Sequence, residues 1–195
     1  MIGASASSAD VSRRGLSFAL AAYSIWGFAP IYFVWVGFAH PLEILSHRVL
    51  WSVPFVALLL TISGQWQTLR ALTQAELRTL FLTALCLGAN WLTFIYAIQA
   101  NRLAEATLGY FINPLVNVFL GWLFLRERMR RWQWLAVVIA AAGVALEIWA
   151  QSQVPLLPLM LAFSFGFYGL LRKRVNVPSV LGLGIETSLM LPFAL

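Results

Sequence analysis

AEATLGYFINPLVNVFLGWLFL, residues Ala104 to Leu125, holds one acid, Glu105 in its first turn, and no other charge. At about 1.5 Å per helical residue it is long enough for the ~30 Å hydrocarbon core of a bilayer. Outside that first turn its strongly polar side chains are Tyr110, Asn113 and Asn117, which share one helical face with Gly121 by the i, i+3, i+4 rule. Water would need a far more polar helix surface than this, so the stretch reads as a transmembrane helix.

Six further apolar runs of similar length flank it: Leu16–Val36, Glu43–Ile62, Leu77–Ala100, Trp132–Trp149, Pro155–Leu171 and Pro178–Leu195. Composition agrees with this reading. Of the 195 residues 61% are hydrophobic and only 10% charged, against roughly 25% charged in a soluble domain; mean hydropathy is +0.82. The expected fold is therefore all-α, a polytopic transmembrane bundle with seven helices in this chain and the lipid bilayer as its solvent. The first run follows Arg13 and Arg14 but is too long for the apolar region of a secretory signal. The Ser-rich start, Met1 to Ser12, reads as a disordered tail, and Gln65–Gln74 as an amphipathic turn on the membrane surface.

Charge gives the orientation. With the N-terminus cytoplasmic, eleven of the thirteen Lys and Arg fall on the cytoplasmic side, leaving only Arg48 and Arg102 elsewhere. Trp35, Trp132, Trp134 and Trp149 fall near segment ends, where an indole sits at the headgroups. The formal charge of +6 does not indicate nucleic acid, because the cations form short clusters between apolar runs and no continuous patch.

The two ends of the chain resemble each other. Ala22-Tyr23-Ser24 matches Ala162-Phe163-Ser164 at an offset of 140, and Pro54-Phe55 matches Pro192-Phe193 at 138, which also carries Arg48 onto Glu186. A five-helix unit repeated in this way must invert, and inverted repeats mark secondary transporters. Residues 1–14 then form a cytoplasmic tail, 15–150 the first repeat and 155–195 an incomplete second one, since the chain ends within an apolar run.

Polar groups in lipid need partners or water, so they locate function. Tyr110, Asn113 and Asn117, beside the kink-forming Pro114, are candidates to line a substrate cavity, and Asn90 of the third segment is a candidate to join them. Hydrogen bonding between helices is the alternative for each. His47 and Arg48 begin the second segment, where the Arg either snorkels or guards the mouth of the pathway. Glu105 suits a helix N-terminus, and Glu147 lies close to interfacial Trp149. Glu186 lies about 12 Å into the last segment, close to the bilayer midplane, and is a candidate proton carrier with Arg48 as the expected partner; a structural hydrogen bond to a neighbouring helix is the alternative.

Enzyme chemistry finds no support. No GxSxG, HExxH or P-loop pattern occurs, and Asp10 is the only aspartate. His40 and His47 lack an acidic or cysteine partner for a metal, and Cys86 is the only cysteine, so neither a metal nor a cofactor is expected.

Four stretches resemble one known family: Ala22-Tyr23-Ser24-Ile25-Trp26-Gly27, His47-Arg48-Val49-Leu50-Trp51, the run from Glu105 to Asn117, and Tyr168-Gly169-Leu170-Leu171-Arg172-Lys173. They are similar to the RarD branch of the EamA family in the drug/metabolite transporter superfamily, from about Gly15 to the C-terminus. The resemblance implies ten helices in two inverted five-helix repeats, both termini cytoplasmic, in the bacterial inner membrane. About three helices of the second repeat would then lie beyond this chain. It further implies a transporter of a small metabolite, an amino-acid-like solute or a drug such as chloramphenicol. A non-transporting membrane scaffold or assembly subunit is the competing class.

Overall fold

A computed structural model describes residues 8–151 and 155–195 of the chain. Among these residues it is all-helical, with eight helices. Two compact units are distinguished, one up to Phe38 and a bundle from Ala39 to Leu195.

The first unit is helix α1, Ser8–Trp35, with Pro30 inside it. It ends in a turn in which the Val36 and Gly37 amides donate to the Tyr32 and Val34 carbonyls. The helix starts well before Leu16, so Ser8 to Ser12 are helical where a disordered tail is expected. No proline or glycine interrupts the chain between Ser8 and Gly15, and a helix once nucleated propagates through such residues. Residues 1–7 of the expected tail lie outside the described residues.

The bundle holds α2 (Pro41–Ser63), α3 (Trp66–Arg70), α4 (Gln74–Gln99), α5 (Leu103–Leu125), α6 (Arg131–Gln151), α7 (Leu156–Arg172) and α8 (Ser179–Ala194). All but α3 correspond to expected apolar segments, with ends shifted by at most three residues. The short α3 occupies the expected surface turn. Local chemistry fixes the boundaries. His40 caps α2, its Nδ1 accepting from the Leu42 amide, with Pro41 in the first position, where a missing N–H costs nothing. Gly64 ends α2 in the left-handed conformation, φ 67°. Thr73 and Glu76 form a capping box at the start of α4.

Five helices, α1, α2, α4, α5 and α6, are long and apolar enough to cross a membrane. The 17 residues of α7 and 16 of α8 are fewer. Their surroundings explain this: α7 packs on α4 and α5, and α8 on α2 and α4, so protein replaces much of their lipid. By contrast α6 packs on α5, and its most apolar stretch has no buried residue, as lipid exposure requires. Val56, Leu60, Leu181 and Ile185 fill the α2–α8 contact, and Ile112, Val116, Leu120 and Ala162 the α5–α7 contact.

Helix directions alternate as the charge pattern demands. Gln99 Nε2 donates to the Ala39 carbonyl at one end of the bundle, 2.9 Å. Lys173 Nζ pairs with Glu127 at the other, 3.2 Å, where the basic loops gather.

Candidate functional site

Two polar clusters lie against α4, on the same face two helical turns apart. Asn90, 9% exposed, forms the one nearer the end of α4. Its Nδ2 donates to the Leu161 carbonyl and to Ser164 Oγ on α7, each at 3.0 Å. Asn90 thus joins α4 to α7.

Thr83, seven residues earlier, lies beside Glu186, and neither is exposed at all. The Thr83 hydroxyl donates to Glu186 Oε1 at 2.7 Å and the Tyr168 hydroxyl to Oε2 at 3.4 Å. Arg172 Nε lies 3.9 Å from Oε1, and its Nη2 donates to the Val177 carbonyl at 3.3 Å. Its Nη1 is buried without a hydrogen-bond partner. Three helices build this cluster: α4 supplies Thr83, α7 supplies Tyr168 and Arg172 one turn apart, and α8 supplies Glu186. Gly182, one turn before Glu186, completes it, because a Cβ there would collide with Arg172 Nη1. The guanidinium occupies the volume that glycine leaves free.

This arrangement corrects the expected partner of Glu186. Arg48 packs elsewhere, its Cζ 3.9 Å from the centre of the Trp91 ring. Trp91 and Thr83 are eight residues apart on α4, about 12 Å of rise. The offset of 138 does relate Arg48 to Glu186, but α2 and α8 run in opposite directions, which sets the two side chains at different depths. Sequence reasoning missed Arg172 because it ends a helix and counts there as one more cytoplasmic cation. The four-residue spacings Tyr168–Arg172 and Gly182–Glu186 were the available signal.

Of the other expected pathway residues, Arg48 and Tyr110 come together through α4. Phe94 packs edge-on against Tyr110, ring centres 5.8 Å apart, one turn beyond Trp91, on which Arg48 is stacked. Further along α5, Asn117 Nδ2 donates to Asn113 Oδ1 at 3.2 Å. Asn117 also lines a cleft of about 320 Å³ between α5 and α7, with Gly121, Gly166, Gly169 and Lys173. His47 is exposed on α2, apart from these groups. Glu105 makes a two-pronged ion pair with Arg102 at 2.5 and 2.6 Å, which raises the Arg102 pKa further above its ordinary value.

No group of three His, Cys, Asp or Glu that could hold a metal occurs among the described residues. What the Glu186 cluster can do chemically is exchange a proton. A carboxylate held by an alcohol, a phenol and a guanidinium in a buried site changes its hydrogen bonding when its charge changes.

Comparison with known proteins places the chain. Residues 13–149 match the EamA-like transporter family. Over 188 residues the chain is 48% identical to the protein RarD of Escherichia coli (strain K12), covering 95% of this chain and 64% of RarD. An uncharacterized transporter of Vibrio cholerae is also 48% identical, over 94% of this chain and 61% of its own length. The chloramphenicol-sensitive protein RarD of Pseudomonas aeruginosa is 35% identical over 95% and 64%. The chain thus spans somewhat less than two thirds of these relatives' length. No solved structure matches it.

Proposed function

Because the chain belongs to the EamA-like transporter family, in the branch of the RarD proteins, we propose that it forms seven membrane helices of a secondary transporter for a small polar or amphipathic solute. Amino-acid-like metabolites and drugs such as chloramphenicol are the substrate class, the latter suggested by the name of the Pseudomonas aeruginosa relative. The setting is the bacterial inner membrane, with the basic loops cytoplasmic. Residues 15–150 form the first five-helix repeat and 155–195 the start of an inverted second one. The antiparallel packing of α2 against α8, with Pro54 and Pro192 inside them, supports that pairing. The solute path follows Arg48, Tyr110, Asn113 and Asn117. Asn90 borders it as a strut between α4 and α7, and His47 stands at its outer end.

One observation carries the reading: a carboxyl with no exposure, in the middle of an apolar helix, tied to a partly buried Arg. Ionisable groups in lipid are costly and are kept where they bind or couple. In this mechanism Glu186 takes up a proton, its attraction for Arg172 falls, and α7 and α8 loosen from α4. Release of the proton restores the pair.

Proteoliposomes of the full-length protein test this. Glu186→Gln keeps shape and hydrogen bonding but carries no proton. It is expected to abolish solute flux driven by a pH gradient while solute binding survives. Undiminished flux would assign Glu186 to the scaffold, and absence of any flux in the parent would favour the scaffold class.

A further inference from the structure

The loop between α5 and α6 reads Arg126-Glu127-Arg128-Met129-Arg130-Arg131, with four cations and one acid in six residues. That acid is already engaged. Glu127 lies back over α5, its Oε2 2.8 Å from where a Cβ on Gly121 would be, and pairs with Lys173 of α7 at 3.2 Å. The four arginines are therefore not compensated within their own loop. The N-terminus of α6, beginning at Arg131, adds the positive end of a helix dipole.

The chain turns sharply here. Arg126 closes α5 in the left-handed conformation, φ 53°, with the Glu127 amide donating to the Gly121 carbonyl. The turn leaves an open cleft of about 430 Å³ beside the ends of α5 and α6. Arg126 and Arg128 line it together with Glu127, whose carboxylate is drawn toward Lys173, and with Trp122, Leu123, Met129 and Trp134. Both indoles are about half exposed. Cations, exposed indoles and apolar walls thus meet at the end of two apolar helices, at headgroup level.

We infer that this cleft binds the headgroup of an anionic phospholipid. The phosphate lies between Arg126 and Arg128, and the glycerol and first methylenes lie against Trp122, Leu123 and Trp134. A soluble phosphate would use the arginines but leave the apolar walls bare, which is why a lipid suits the cleft better. The inference does not depend on transport or on Glu186.

The test uses the purified full-length protein in a neutral detergent, with native mass spectrometry and thermal stability as readouts. Phosphatidylglycerol should be retained and should raise the melting temperature. Phosphatidylcholine should do neither, and inorganic phosphate at the same concentration should not displace the lipid. Arg126→Gln with Arg128→Gln should weaken phosphatidylglycerol binding about thirtyfold, or about 2 kcal/mol. Arg70→Gln with Arg78→Gln, on the same basic side but outside the cleft, should leave it within about twofold. Equal retention of phosphatidylcholine, displacement by phosphate alone, or equal losses in the two pairs would each overturn the site. On the unaltered chain, rising salt should release phosphatidylglycerol; retention unaffected by salt overturns the site even where the variants fold poorly.

Discussion

At the scale of single residues, Gly182 has the sharpest consequence. Its missing side chain is where the Arg172 guanidinium lies, so Gly182→Ala drives a methyl group into Nη1 without changing any charge. The guanidinium is confined, its side chain only 16% exposed, and it must move away from Glu186. Gly182→Ala is therefore expected to reproduce the transport defect of Arg172→Gln, measured as flux under a pH gradient at matched membrane levels. Normal flux in Gly182→Ala alongside lost flux in Arg172→Gln would show that the ion pair tolerates displacement. Thr83→Val keeps shape but removes the 2.7 Å hydrogen bond, and should lower stability by about 1.5–3 kcal/mol, read by unfolding in mixed micelles. Glu186 itself was legible from the sequence, since a lone acid halfway along an apolar segment has few innocuous explanations. Its partners were not, because a long side chain enters from a helix end and a glycine makes the room.

Among elements, the α5–α7 seam shows how the polar face of α5 is aimed. Gly109 approaches Pro158 and Leu161 so closely that a Cβ would meet them at 3.0 Å, and at Gly166 a Cβ would lie 2.6 Å from Val116 Cγ1. With α7 held on the Ile112, Val116 and Leu120 side, rotation of α5 is fixed, and Tyr110, Asn113 and Asn117 follow from it. If those three line a water-filled path, cysteines placed there in a Cys86-free protein react with small polar thiol reagents, and solute protects them. Cysteines at Leu115 and Phe119, on other faces of α5, stay unreactive in lipid. Equal reactivity around the helix would reduce the stripe to packing. The helical period revealed this face in the sequence. It could not say which neighbour takes up each amide, and the bonds of Asn90 to α7 were for that reason not legible.

For the whole molecule, helix directions tie the repeat to the topology. Alternation along the bundle puts α2, α5 and α7 in one sense and α4, α6 and α8 in the other. The contacts within the bundle agree: Thr83 meets Glu186 and Gly88 meets Met190, so α4 and α8 advance together. Between α4 and α7 the pairs Thr83–Glu186–Tyr168 and Asn90–Ser164 advance in opposite senses. Charge bias and packing are independent sources of this order, since the first counts loop cations and the second arises from apolar interiors. Both place Arg128 on the basic side and Ala100 on the other. In intact cells, and again in a Cys86-free protein, Ala100→Cys is expected to be labelled by an impermeant thiol reagent, and Arg128→Cys only after the membrane is opened. The reverse labelling would turn the molecule over, placing the arginine-lined cleft and the Arg172 end of the Glu186 cluster outside the cell. A proton reaching Glu186 from the Arg172 end would then come from the opposite compartment, so the sense of any coupled flux follows from the same labelling.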